Sequence, residues 1–138
     1  MTDAHEIRHE IRIATGDDIV RIRRAVRTVA CAARMSLVDR TKLVTAASEL
    51  ARNVIGHGGG GTVRIERLIS PSGVSGVRMV FEDAGPGIPD VRLALTDGWS
   101  TGQGLGLGLP GARRLVDEFD LQTVVGEGTR VTVTKWTR

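Results

Sequence analysis

The spacing of apolar residues limits the fold of this chain more than any other feature of its sequence. Over residues 6–14 apolar and charged side chains alternate, which predicts a strand with one charged face. Over 17–35 the apolar residues recur at helical spacing with arginines on the far side, and either aspartate at the start can cap this helix. A second helix is predicted to begin at Ser36 or Asp39 and to run to about Ile55.

Glycine-rich breaks divide the rest of the chain into strands and short helices. The glycines within 56–61 stop the second helix and are interpreted as a flexible connector. Short helical segments are predicted over 90–96 and 110–118, the latter with proline in its first turn. Four further strands are predicted, over 62–68, 77–81, 121–125 and 129–136. The order β-α-α-β-β-α-β-β predicts the α+β class, a two-layer sandwich with helices on one face of a mixed, mostly antiparallel sheet.

Length and composition agree with a single domain over residues 1–138. A chain of 138 residues with 41% hydrophobic content can bury one substantial core. Aromatic residues make up only 3% and tyrosine is absent, so the core has to be built mainly from aliphatic side chains. Aliphatic side chains suit helices packed on a sheet.

Charge and cysteine content argue against several function classes. The net charge is only +3, the arginines are scattered, and no aromatic residues are interleaved with them, so nucleic acid is not expected as a partner. A single cysteine excludes an internal disulfide and a multi-cysteine metal cluster within one chain. The polar N-terminus and the lack of a long apolar run predict neither secretion nor a membrane span, so a cytoplasmic protein is expected.

Two glycine clusters in the second half predict a site for a nucleotide triphosphate. They are Asp83-Ala-Gly-Pro-Gly-Ile88 and Gly102-Gln-Gly-Leu-Gly-Leu-Gly108. Glycine lets the backbone approach a ligand closely, and backbone amides at a helix start attract phosphates. The chain has no Walker motif, and its one G-x-G-x-x-G match does not follow a predicted strand. Backbone amides therefore have to carry phosphate binding.

Two polar residues on the second helix predict the chemistry. Glu49 and Asn53 are four residues apart, so their side chains project from the same face of the helix. The Asn53 amide oxygen can bind a magnesium ion that is held mainly by triphosphate and water. Glu49 can then act as the base for an attacking hydroxyl. The alternative for this pair is an exposed polar pair on a solvated helix face.

Asp83 ends a predicted strand, and from there its carboxylate can accept a hydrogen bond from the exocyclic amine of adenine. Gly85 and Gly87 would let the following loop fold against the base. The alternative is an ordinary turn, because Asp, Gly and Pro all favour turns. His57, one turn beyond Asn53, has no second histidine or cysteine nearby and is interpreted as structural or exposed.

Four motifs in this order resemble the GHKL ATPase/kinase superfamily. They are Glu49-x-x-x-Asn53, Asp83-x-Gly85-x-Gly87, Gly102-x-Gly104-x-Gly106-x-Gly108 and Gly126-x-Gly128-Thr129. The resemblance covers nearly the whole chain. The resemblance implies a Bergerat-type α/β sandwich that uses ATP and Mg²⁺. It also implies that Glu49 is the catalytic base and Asn53 the magnesium ligand. Asp83 then contacts adenine with Thr129 closing that side, and Gly102 to Gly108 form the phosphate loop.

Within the superfamily the chain resembles the small RsbT-type switch kinases. The stretch Asp97-Gly-Trp-Ser-Thr-Gly102 and the sequence from Pro110 to Phe119 carry this closer likeness. The resemblance implies phosphorylation of a serine or threonine on a STAS-domain antagonist protein, followed by activation of a PPM-type phosphatase upstream of a sigma factor. The alternative is a non-catalytic, ATP-gated anti-sigma binding module. Only fourteen residues, Ile88 to Thr101, separate the glycine clusters, so a long ATP lid is not expected.

Overall fold

The sheet has five strands in the order β1-β2-β3-β5-β4. The computed structural model describes residues 8–91, 95 and 108–137. Its elements are β1 (Arg8–Ile13), α1 (Gly16–Ala32), α2 (Leu37–Gly56), β2 (Gly61–Ile69), β3 (Ser75–Asp83), α3 (Gly108–Arg114), β4 (Glu118–Val124) and β5 (Gly128–Trp136). The predicted α+β class is confirmed, and each pairing among the described strands is antiparallel, where a mixed sheet had been predicted.

The helices pack on one face of the sheet, because alternate side chains along the strands point to that face and are apolar. Ile65 on β2, Met79 on β3 and Val133 on β5 are fully buried beneath the helices. α2 contacts α1, α3 and β3, so it is enclosed on more sides than α1. This position explains why α2 is apolar around most of its circumference.

Side chains and backbone amides fix the starts of both long helices. Ser36 is the N-cap of α2 and accepts a hydrogen bond from the Asp39 backbone N–H at 3.2 Å, as one of the two predicted starts requires. The cap of α1 is Thr15, not one of the predicted aspartates. Asp18 acts from inside the first turn, where it accepts backbone N–H bonds from Ala14 at 2.8 Å and Thr15 at 3.0 Å. These bonds favour the carboxylate and lower its pKa.

The helix predicted over 110–118 is wrong at its C-terminal end. α3 ends at Arg114, and β4 begins at Glu118 instead of the predicted residue 121. Asp117 accepts a hydrogen bond from the Trp136 backbone N–H at 2.7 Å, and Glu118 accepts one from the Trp136 indole N–H at 2.6 Å. Asp117 and Glu118, which were predicted to lie in a helix, thus pair with β5 because tertiary hydrogen bonds outweigh local helix preference.

Only part of the predicted helical segment over 90–96 lies within the described residues. The Leu95 backbone N–H donates to the Val91 carbonyl at 3.0 Å, which is a helical i to i−4 bond. Leu95 also packs against the core. None of the helices in the described part of the chain has the length and apolarity needed to cross a membrane.

Candidate functional site

A pocket opens between the C-terminal half of α2 and the adjoining ends of β3 and β5. It encloses about 480 Å³, its open mouth included. Its walls are formed by Leu50, Asn53, Val54, His57, Phe81, Asp83, Gly87, Ile88, Leu109, Thr129 and Val131. Most of these are apolar, and a few polar groups stand among them, as is usual for sites that bind a flat organic ring. The pocket contains three of the predicted polar residues, Asn53, Asp83 and Thr129.

Asp83 is the last residue of β3 and is held by its own loop. It lies in register with Gly61 of β2 and Thr129 of β5. Its Oδ1 accepts a hydrogen bond from the Gly85 backbone N–H at 2.9 Å. This bond fixes the side-chain orientation at the pocket wall. Strand register thus brings Thr129 beside Asp83, although they are far apart in the chain.

The four-glycine run supplies a residue that sequence reasoning missed. Gly58 packs so closely on the loop after β3 that a Cβ on Gly85 would lie 2.7 Å from the Gly58 Cα. The run was interpreted as a flexible connector, but Gly58 is part of the wall that seats Asp83. The position of Gly58 in the sequence could have indicated this role. It follows Asn53 by about one turn, at the end of a helix whose face had already been assigned to the site.

The loop over 84–88 is tied to the β4–β5 hairpin by a second residue that was not predicted. The Thr123 hydroxyl accepts a hydrogen bond from the Ile88 backbone N–H at 2.9 Å and lies 3.0 Å from the Thr129 hydroxyl. It donates to the Gly128 carbonyl, 3.1 Å away. One hydroxyl therefore joins three segments. A threonine in a strand gives no sequence signal for this role, because strands commonly contain threonine.

Gly87 fits this arrangement for a steric reason. Its φ is 77°, and a Cβ there would lie 2.6 Å from the Val124 carbonyl oxygen. The Gly126 backbone N–H donates to the Pro86 carbonyl at 2.8 Å on the same side. The loop thus lies flat against the hairpin, a position that a side chain at residue 87 would prevent.

Asn53 contacts the start of α3. A Cβ on Gly108 would lie 2.8 Å from Asn53 Oδ1 and 2.9 Å from its Nδ2. The last glycine of the second cluster therefore touches the predicted metal ligand. Gly102, Gly104 and Gly106, the rest of that predicted phosphate loop, lie outside the described residues.

Glu49 lies one turn before Asn53 and does not line the apolar pocket. Its side chain is 24% exposed, and its Oε2 forms an ion pair with Arg52 Nη1 at 2.9 Å. The sequence predicted that Glu49 and Asn53 share a face but did not anticipate the arginine partner. His57, interpreted as structural, follows α2 directly and lines the pocket.

Comparisons with known proteins agree with this geometry. A family model described as histidine kinase-, DNA gyrase B- and HSP90-like ATPase matches residues 38–137. The chain is 47% identical over 128 residues to the serine/threonine-protein kinase RsbT of Bacillus subtilis (strain 168), a match covering 93% of this chain and 96% of RsbT.

Three solved structures share the fold. The RsbU and RsbW domains of a Mycobacterium tuberculosis protein align over 95% of this chain with a TM-score of 0.64 and 22% identity, and this chain spans 33% of that one. The SiaB–SiaC complex from Pseudomonas aeruginosa gives a TM-score of 0.52 at 12% identity, covering 94% of this chain and 88% of that chain. A histidine kinase domain from Erythrobacter litoralis also gives 0.52, at 18% identity, covering 85% of this chain and 59% of that chain. At these identities the likeness concerns the fold alone.

Proposed function

Because the chain belongs to the histidine kinase-, DNA gyrase B- and HSP90-like ATPase family and is an RsbT-type serine/threonine kinase within it, we propose a specific phosphoryl transfer. The protein transfers the γ-phosphate of ATP to a serine or threonine of a STAS-domain antagonist protein. The observation that carries this proposal is the single pocket that Asp83 and Asn53 share, with Gly108 packed against the Asn53 amide.

In this proposal the apolar part of the pocket holds adenine. Phe81, Ile88 and Val131 offer apolar surface to the base, and Asp83 accepts a hydrogen bond from its exocyclic amine. Because Asp83 Oδ1 already binds the Gly85 N–H, the second carboxylate oxygen is the one offered to the amine. Thr129, Gly85 and Gly87 support that end of the site.

Asn53 is the proposed magnesium ligand, with Gly102, Gly104, Gly106 and Gly108 as the proposed phosphate loop. An amide oxygen is a suitable ligand for a magnesium ion that keeps water and phosphate oxygens as its other ligands. The bound ion supplies neutralisation of the charge on the phosphates. The close packing of Gly108 on Asn53 supports this role because it leaves no side chain between the amide and the start of α3.

Glu49 is the proposed base. Its carboxylate takes the proton of the attacking serine or threonine hydroxyl while that oxygen bonds to the γ-phosphorus, and the bond from this phosphorus to the bridging oxygen breaks so that ADP leaves. The ion pair between Oε2 and Arg52 restrains the side chain, which leaves Oε1 to accept the proton. Glu49 lies outside the apolar pocket, and its partly exposed carboxylate is proposed to meet the protein substrate there.

The wider pathway follows from the same likeness. We place a PPM-type phosphatase downstream as the second partner, with a sigma factor as the final target, in the cytoplasm. The likeness to RsbT supports a partner-switching role. The competing function is a non-catalytic anti-sigma module that binds ATP, which the partly exposed Glu49 would also permit.

The test uses γ-labelled ATP, magnesium and purified STAS-domain and PPM-type phosphatase proteins encoded near this chain. We expect label on the STAS protein, and we expect Glu49→Ala to abolish it while ATP binding persists. Asp83→Asn should abolish ATP binding, although the new amide oxygen can still accept the Gly85 N–H bond. Glu10→Ala, at an exposed position of strand β1, is the matched control and should transfer phosphate normally.

Two outcomes contradict the proposal. Normal transfer by Glu49→Ala would remove this residue as the base. Absence of label, together with capture of a sigma factor by the ATP-bound protein, would favour the anti-sigma module.

A further inference from the structure

A second groove lies between α1 and α2, separate from the pocket described above. Arg23, Arg27 and Cys31 line it from α1, and Leu37, Arg40 and Val44 line it from α2. It is formed by the N-terminal half of α2, whereas the first pocket uses the C-terminal half. Leu37 and Asn53 are about 24 Å apart along the helix axis at a rise of 1.5 Å per residue. A molecule in this groove can leave the ATP pocket open.

The charged side chains that line the groove are all positive. Arg23, Arg27 and Cys31 are spaced four residues apart, so they form one stripe along α1. No acidic side chain lines the groove within the described part of the chain. Asp18, at the start of α1, is bonded to Arg21, and Asp39 of α2 is paired with the Lys135 ammonium. Asp18 and Asp39 are therefore already engaged elsewhere, and Asp17 at the start of α1 does not line the groove.

Arg40, in the wall of the groove, has unfilled hydrogen-bonding capacity. Its Nη1 donates to the Cys31 sulfur at 2.8 Å, and thiol sulfur is a weak acceptor. Its Nε is buried and has no partner among the described residues. A guanidinium has five donors arranged to match a carboxylate, so an incoming carboxylate would satisfy this group better than the protein does.

One end of the groove is apolar and exposed. Leu37 is 69% exposed and Val38 65% exposed at the start of α2. The exposed Leu37 side chain beside three arginines suits a protein segment that carries both carboxylates and an apolar side chain. Nucleic acid fits less well, because the groove has no aromatic side chain for stacking on bases and the aliphatic end offers nothing to phosphate.

We propose that the α1–α2 groove docks an acidic segment of a partner protein. Carboxylates of that segment pair with Arg23, Arg27 and Arg40, and an apolar side chain covers Leu37. This site is independent of the phosphoryl transfer proposed above, so a Glu49→Ala protein should dock the segment as the unmodified protein does.

Cys31 provides the readout, because it is the only cysteine and is exposed in the groove. The rate of its alkylation is measured with and without a synthetic helical peptide that has glutamates at i and i+4 and leucines on one face. The peptide with every glutamate replaced by glutamine is the first control, and a short DNA duplex is the second. We expect saturable protection of Cys31 by the acidic peptide alone.

Variants locate the binding site. Arg23→Glu with Arg27→Glu should weaken the peptide affinity by about tenfold or more, since two attractive pairs become repulsive. Arg12→Glu with Arg24→Glu is the control, because it changes the net charge by the same amount at exposed residues outside the groove. Its affinity for the peptide should stay within about twofold of that of the unmodified protein. Leu37→Ala keeps every charge and should weaken binding by about threefold to tenfold. Circular dichroism melting confirms that each variant folds.

The inference is overturned by any of three results. Equal protection by the glutamine peptide would show that charge is not recognised. Equal loss of affinity in both double variants would show attraction to net charge alone. Protection by DNA without protection by the acidic peptide would assign the groove to a polyanion.

Discussion

Gly58 lies directly against the Asp83 carboxylate: a Cβ on residue 58 would lie 2.6 Å from Asp83 Oδ2 and closer still to Cγ. Gly58→Ala should therefore displace Asp83 and weaken ATP binding by about tenfold or more, the effect of losing one buried polar contact to the ligand. Isothermal titration calorimetry with ATP checks the affinity. Gly56→Ala is the control, because a Cβ there meets nothing within 4 Å. Equal ATP affinity for the unmodified protein and Gly58→Ala would contradict the proposed role of Asp83.

Removal of the Thr123 hydroxyl should loosen the loop over 84–88. Thr123→Val leaves the Ile88 backbone N–H without its acceptor and is expected to cost about 1–3 kcal/mol in the free energy of unfolding. ATP affinity should fall as well, because Ile88 lines the pocket. Urea unfolding measures the stability, with Thr132→Val on the opposite face of the sheet as control, expected within about 0.5 kcal/mol. Equal losses in the free energy of unfolding for Thr123→Val and Thr132→Val would show that the hydrogen bonds of the Thr123 hydroxyl do not stabilise the fold.

The buried Lys135 ammonium depends on Asp39. Lys135 Nζ lies 3.7 Å from Asp39 Oδ1, and the lysine side chain is 8% exposed. Asp39→Asn should destabilise the fold by about 1–3 kcal/mol because the ammonium is left without a carboxylate. Lys135→Met should recover most of that loss in the Asp39→Asn background, since the buried charge is then removed.

A double-mutant cycle measured by urea unfolding isolates this pair. Asp17→Asn, also an acidic residue in the first turn of a helix, controls for the loss of negative charge at a helix start. If the changes in the free energy of unfolding caused by Asp39→Asn and Lys135→Met are strictly additive in the double variant, Lys135 and Asp39 do not interact.

Acid stability should depend on Asp18. Backbone N–H bonds from Ala14 and then Thr15, with a smaller contribution from Arg21, hold its pKa below the ordinary value of 3.8. The pKa of Asp18 is lower in the folded protein than in the unfolded protein. Its contribution to stability is therefore fully present above the pKa of the unfolded state and is lost as the pH falls through the pKa of the folded state. Asp18→Asn should lower the Tm at neutral pH, and its difference from the unmodified protein should shrink below about pH 4. A Tm difference between Asp18→Asn and the unmodified protein that stays constant down to about pH 2 would contradict this assignment. As a control, Asp17→Asn should have nearly the same Tm as the unmodified protein at neutral pH and below about pH 4.

Much of the fold could be predicted from local sequence. The apolar spacing over 17–35 and 36–55 predicted both long helices, and alternation predicted the strands, because burial on one face imposes those periods directly. Turn-forming glycines predicted the loops after α2 and β3 in the same way. The spacing of Glu49 and Asn53 determined that they share a face of α2, since helix geometry depends on nothing else in the molecule.

Tertiary structure decided the remaining features of the site. The sequence alone placed Asp117 and Glu118 in a helix, but hydrogen bonds to Trp136 place them beside β5. The position of Gly58 after Asn53 indicated only that it lies near the site and not that it seats Asp83, and nothing in the local pattern indicated that the Thr123 hydroxyl joins the loop to the hairpin. These contacts depend on strand register and on the packing of α2 over the sheet. Register and packing are determined by interactions across the whole domain, whereas periodicity reports only which side of each element is buried.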